Sequence, residues 1–313
     1  MYRWLLCFRY LRTRYIALAS IISVTLGVAT LIVVNSVMAG FSAEMHERLH
    51  GLASDIVIEC HAPSGMPDPE AHLAEIDRIV GSQIAGTSYS VRVPAMLHIT
   101  YNGRPLMHQV NLVGIDPSTY DGVSHFGRYL MHPENRERVS FDLRNDGYGA
   151  DRPPLDMAGW GYRKQMAAFS KEREAQRAQL EALTNKDTVE MDGPKFGMMA
   201  PTELTTDAAG EPINLFDPAI DQHFGIVLGI ATCNIKRRYQ SGEVEDVFYA
   251  RPGDDVKLMF PNASEETKVI NQSFTVVDLY ESGMSEYDSS FAFCRLDTLQ
   301  ELRGMIDPQS ATR

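Results

Sequence analysis

The stretch YIALASIISVTLGVATLIVVNSVM, Tyr15 to Met38, decides how the rest of the chain is read. Ile16 to Val34 is a run of 19 residues without a charge. At about 1.5 Å per residue it covers the roughly 30 Å hydrocarbon core of a bilayer. Backbone groups in lipid find no water, so the run is predicted to be a helix. Arg3, Arg9, Arg12 and Arg14 precede it without an acidic residue, and Glu44 and Glu47 follow it before Arg48. That asymmetry predicts a cytoplasmic basic segment at 1–14, a transmembrane helix at 15–38 and an extracytoplasmic chain beyond. The competing reading is a signal peptide cleaved after Val37-Met38-Ala39. The run exceeds the usual apolar region of about 7–15 residues, and Phe41, Met45, Leu49 and Leu52 continue at helical spacing, which favours an uncleaved anchor.

Outward from this helix, the 313 residues leave room for one large or two modest domains, and a 44% hydrophobic fraction supports a sizeable core. The net charge is −12; the first 14 residues carry +4, which leaves −16 on the remainder. An acidic outer part argues against nucleic acid as a partner and against docking on anionic lipid. Cysteines stand at 7, 60, 233 and 294. The spacing excludes a disulfide-dense scaffold, while one bridge among Cys60, Cys233 and Cys294 stays open.

His46-Glu47-Arg48-Leu49-His50 matches the HExxH pattern, in which two imidazoles share a helical face and hold zinc while the glutamate acts as base. Ala53 stands where the extended motif needs glycine, so a metal site at His46, Glu47 and His50 is disfavoured. Asp55–Glu59 reads as a short strand, and Asp68–Val80 as a helix capped by Asp68 with an apolar stripe of Leu73, Ile76, Ile79 and Val80. Ser90–Tyr101 and Pro105–Ile115, joined by Asn102-Gly103, predict a hairpin. Seven prolines loosen the pattern between Tyr120 and Phe224, with one exposed helix expected near 160–183. Strand candidates return at 225–229, 256–260, 273–280 and 290–296, followed by a short helix capped by Asp297 and stopped at Gly304. Strands with interspersed helices predict an α+β domain with a mixed or mostly antiparallel sheet.

Several segments resemble, in order, the lipoprotein-releasing (LolC/LolE-type) branch of the FtsX-like/MacB-like ABC transporter permeases. They are Arg9-Tyr10-Leu11-Arg12, Val33 to Phe41, Gly114-Ile115-Asp116-Pro117, and Phe274-Thr275-Val276-Val277 leading into Glu281 to Ser290. The resemblance covers roughly residues 1–120 and 224–304. It implies a helix carrying a MacB-like periplasmic core domain in two parts, 39–120 and 224–313, around an insertion at 121–223. It also implies a separate ABC ATPase subunit that binds ATP, a second permease subunit, a lipoprotein or other amphipathic cargo, and the bacterial inner membrane as the seat. Such permeases have no active site or cofactor of their own, so the chain is expected not to be an enzyme. Family members carry three further membrane helices after the core domain. The sequence ends at Arg313 before any of them, which reads as a fragment, half of a split system or a relic. The short link from Phe260 to Ser273 predicts no chaperone-recruiting hairpin.

Within the most specific segment, Glu286 and Asp288 flank Tyr287. Paired carboxylates invite a catalytic reading, but a turn bent at Gly283 with Asp288 or Ser289 bonding backbone is preferred. Gly283, Glu286, Tyr287 and Asp288 are therefore expected to form a motion-relay turn. The alternative function is a single-pass anchored binding or scaffold module without transport activity.

Overall fold

The apolar run forms the start of α1 (Tyr15–Leu52), a single uninterrupted helix of 38 residues. Within its segment Leu18–His46 an 18-residue stretch reaches a mean hydropathy of 2.2, and the segment is long and apolar enough to cross a membrane. Ile22, Leu26 and Val33 lie exposed along it, and Thr30 satisfies its hydroxyl by donating to the Leu26 carbonyl at 2.7 Å. This back-bond to the preceding turn keeps a polar side chain compatible with lipid. The computed structural model describes residues 15–52, 54–60, 62, 64–149, 155–184, 216–238, 242, 244–264, 266 and 268–306, with Tyr2 and Arg9. It divides into two units, Met1–Asp55 and Ile56–Arg313.

The second unit is built on a closed six-stranded barrel of order β1-β2-β8-β3-β7-β6. β1 (Ser90–Tyr101) and β2 (Arg104–Ile115) pair along their whole length, from Ser90↔Ile115 to Tyr101↔Arg104. Asn102 at φ 51° and Gly103 at φ 74° make the positive-φ turn that the Asn-Gly dipeptide predicts. β3 (Phe224–Gly229), β6 (Asp255–Pro261), β7 (Val269–Tyr280) and β8 (Phe291–Arg295) complete the ring. β2–β8 and β3–β7 run parallel, and β6 closes on β1 through Met96↔Met259. The sheet is mixed, as the α+β reading expects, but its closure was not anticipated. Alternate residues fill the interior, among them Leu97, Ile99, Leu112, Leu228, Phe260 and Phe274, each less than about 2% exposed.

Around the barrel lie α2 (Pro69–Val80), α3 (Pro133–Glu137), α4 (Gly159–Thr184), α5 (Ile230–Cys233), α6 (Ser285–Ser290) and α7 (Leu296–Arg303). β4 (Asn234–Arg238) and β5 (Val244–Phe248) form a separate two-stranded ribbon. Asp68 caps α2 as expected, its carboxylate accepting from the Ala71 amide at 3.2 Å. No residue of α2 is buried; Leu73 and Ile76 of its apolar stripe are half-buried, while Ile79 is 66% exposed.

Two expectations are corrected, those for Asp55–Glu59 and for the cap at Asp297. Asp55–Glu59 joins no strand, and Ile56 and Ile58 are 78% and 62% exposed; a closed barrel offers no free edge to receive it. Within 121–223, Phe126, Leu130, Phe141, Leu143 and Leu155 are buried. The helix expected near 160–183 is α4, exposed along most of its length, with Arg163 and Ala167 near its start buried. Asp297 lies inside the first turn of α7 rather than at the cap, drawn aside by a 2.6 Å ion pair with Arg295. Cys60, Cys233 and Cys294 are all free thiols, the last two buried in the core; burial pushes both buried thiols up.

Candidate functional site

The segment with the most specific resemblance forms the turn between β7 and β8. Gly283 at φ 77° makes the bend, and α6 follows it. Asp288 is buried and accepts from the Ser282 amide at 2.8 Å, the Ser282 hydroxyl at 2.7 Å and the Gly283 amide at 3.2 Å. Burial pushes its carboxyl up while these donors pull it down. Glu286 is exposed and faces solvent, so the two carboxylates do not form an acid–base pair. Tyr287 stacks on Phe291 with ring centroids 5.4 Å apart. Its carbonyl accepts from the Tyr280 hydroxyl at 2.6 Å, and Thr232 donates to the Asp288 carbonyl at 3.3 Å. Gly283, Glu286, Tyr287 and Asp288 are thus brought together as a turn tied to the barrel from three sides. These bonds fix the turn's backbone against β7 and α5.

A second polar cluster escaped the sequence reading. Asp278 sits fully buried on β7 and accepts from Asn135 Nδ2 at 2.7 Å, the Leu279 amide at 2.8 Å and the His132 amide at 3.3 Å. A bulge in the β3–β7 ladder between Ile226 and Val227 leaves Val277 out of register, and the Tyr148 hydroxyl donates to its carbonyl at 2.7 Å. His132 accepts the Glu134 amide at Nδ1, which leaves Nε2 to donate to the Asp146 carbonyl at 2.7 Å. This network fastens the irregular segment 130–148 to the barrel. The available signal was one acidic residue inside Phe274 to Tyr280, where both alternating positions are otherwise apolar or hydroxylic.

Burial pushes the Asp278 carboxyl up to about 6, against its three hydrogen-bond donors. A folded value above the unfolded one means the folded state holds the proton more tightly, so stability falls as pH rises between about 4 and 6. From pH 7 to pH 5 this group is expected to add about 1 kcal/mol, a gain that Asp278→Asn lacks. Urea unfolding of both proteins at the two pH values measures it; parallel stability changes would refute it.

The third cluster surrounds Arg163 of α4, whose side chain is 3% exposed. Its guanidinium donates to Asp255 at 2.8 and 3.1 Å, to the Gly253 carbonyl at 2.8 Å and to the Asp221 carbonyl at 2.9 and 3.1 Å. Trp160 and Phe216 cover it at 5.9 and 5.7 Å. Beside it Tyr162 donates to Asp254 at 2.9 Å, and burial pushes that carboxyl up. A cavity of about 430 Å³ opens next to this clasp, lined by Asp146, Asp156, Trp160, Tyr162 and Lys164 among others.

His46 is exposed on α1, while the side chains of Glu47 and His50 lie outside the described residues. Among the described residues no group of three His, Cys, Asp or Glu side chains is placed to hold a metal. No protein-family model and no curated protein sequence matches the chain.

Proposed function

We propose that the chain is the membrane (permease) component of an ABC transporter of the lipoprotein-release or MacB type, and is not itself an enzyme. It sits in the bacterial inner membrane with its N-terminus in the cytoplasm. A separate subunit binds and hydrolyses ATP, and a second permease subunit completes the pair. The work is movement of a lipid-modified or amphipathic cargo.

The observation that carries this reading is the unbroken length of α1. Its 38 residues extend about 57 Å, roughly 27 Å more than the hydrocarbon core needs. A helix that leaves the membrane without a break is a rigid lever, which is what an ATP-driven machine with an outer domain requires. The ordered sequence segments support the same reading, as does the turn at Gly283 to Asp288, which is rigid enough to pass on a displacement.

The test is capture and release. The tagged full chain, cross-linked in its native membrane, is expected to retain an ABC ATPase identifiable by mass spectrometry. Tyr287→Ala should keep that ATPase and lose at least about tenfold in cargo release from reconstituted vesicles, near 1.4 kcal/mol of coupling. Failure to capture any ATPase would overturn the permease reading, and full release by Tyr287→Ala would remove the relay role.

The alternative, an anchored binding or scaffold module, is favoured by α4. Met166, Phe169 and Leu180 are 42%, 51% and 69% exposed there, which is more apolar surface than a merely solvated helix needs. Capture of a soluble partner that depends on Phe169, with no ATPase present, would select it.

A further inference from the structure

The outer face of the barrel where β2, β1 and β6 meet carries methionines in place of the polar residues expected on a solvated sheet face. Leu97 and Ile99 point into the barrel, so Met96 and His98 point outward by strand alternation. Met96 stands directly opposite Met259, and His98 directly opposite Met107 on its other side. Directly opposed residues on one face bring their Cβ atoms to about 4.5–5.5 Å, and neighbours two apart along a strand to about 7 Å. Each thioether rides on three rotatable bonds, which gives the sulfurs of Met96, Met107 and Met259 the length to turn toward the His98 ring.

The His98 ring supplies an independent observation. Its Nε2 is buried, yet it has no hydrogen-bond partner among the described residues. Polar nitrogens are rarely buried unmatched, and one that is calls for an unfilled role. Here the orphan nitrogen lies on the face that the methionines cover. Met96 is 37% exposed and Met107 61% exposed, so the face is reachable from outside. Lys257 also stands opposite His98, but it is exposed, and its flexible four-carbon stem lets the ammonium swing into water.

We propose that Met96, Met107, Met259 and His98 form a site for a soft monovalent cation, Cu(I). Thioether sulfur and imidazole nitrogen without any carboxylate are a donor set that selects Cu(I) over Mg²⁺ and Ca²⁺, which take oxygen ligands. The site lies on sheet positions held by ladder pairing, so its donors are arranged before the ion arrives. Binding involves no change of oxidation state, and it is independent of the transport reading.

The test uses the full chain in detergent, with Cys7→Ser and Cys60→Ser introduced so that neither thiol competes. This protein is expected to withdraw one equivalent of Cu(I) from bicinchoninate under anaerobic conditions. Met96→Leu, Met107→Leu and Met259→Leu together should weaken that binding at least about 100-fold, and His98→Leu at least about tenfold. Methionine-to-leucine changes conserve volume and keep the fold. A measurement on the unsubstituted methionines guards against a variant that fails to fold. With ¹³C-methyl methionine, the redox-inert probe Ag(I) should shift three of the 15 methionine signals. Failure to take up Cu(I), full uptake by the triple variant, or shifts at other methionines would each overturn the proposal. If the chain ignores Cu(I) but the triple variant loses a protein that the wild type captures, the face is a protein-docking surface instead.

Discussion

Gly229→Ala is expected to unfold the barrel at ambient temperature in mild denaturant. Gly229 ends β3, and any Cβ there would overlap the carbonyl oxygen of Asp288, with the Asp288 carbonyl carbon at 2.6 Å and its Cα at 3.0 Å. All three obstacles are backbone, so no side chain can rotate away. Nor can α6 retreat as a unit. Asp288 is held by Ser282 and Gly283, Tyr287 by Tyr280, and Thr232 bonds the same carbonyl that the new methyl would strike. An overpacked site that cannot relax costs about 4 kcal/mol, at the upper end for one substitution. That is a large share of the about 5–15 kcal/mol that holds a domain together. Thermal unfolding followed by near-ultraviolet circular dichroism decides it; a midpoint within about 2 °C of wild type would show that the strand end moves freely.

Asp255→Ala is expected to cost about 3–5 kcal/mol, because it strands the Arg163 guanidinium in the interior without its counter-charge. Thr275, which donates to the same carboxylate at 2.7 Å, loses its partner as well. The reciprocal change should be milder. Arg163→Met keeps an apolar filling between Trp160 and Phe216, and Asp255, whose side chain is 31% exposed, can draw in water. The ordering is the diagnostic result. Urea midpoints that place Arg163→Met below Asp255→Ala would mean that the clasp works through its carbonyl bonds rather than through charge.

Local chemistry was legible in the sequence, and closure was not. The charge-free run of Ile16 to Val34, the Asn102-Gly103 turn and the Asp68 cap each act within a few residues, and each stands where its own pattern predicts. The bend at Gly283 was legible too, with Asp288 as one of two residues expected to bond backbone beside it. The barrel depends instead on β2 finding β8 and β3 finding β7, and no periodicity within a strand records its distant neighbour. The segment from Ser124 to Leu155 shows why apolar content alone misleads. Phe126, Leu130, Phe141 and Leu143 reach the core from irregular backbone, so no 2.0 or 3.6 repeat announces them. Asp55–Glu59 fails in the opposite sense, carrying Ile56, Val57 and Ile58 in a row with no edge to join. The buried Asp278 was visible only as an odd acid in a strand, and the bulge at Val277 that gives it its partners has no signature in the sequence. The methionine face likewise appears only once register sets Met96 beside Met259 and His98 beside Met107.

The parallel pairing of β2 with β8 also sets the timing of folding. Asn111 pairs with Phe291, a separation of 180 residues along the chain, which a ribosome takes about 10–40 s to synthesise. Through that interval the β1–β2 hairpin can form, since hairpins close in about 1–10 μs, but one flank of β2 has no strand beside it. The nascent protein therefore carries an adhesive ribbon with both Met107 and an open ladder exposed. Barrel closure is a late event that awaits the arrival of Phe291 to Arg295. Chains cut short before Phe291 are expected to aggregate through that ribbon, whatever the quality of the hairpin they have already made.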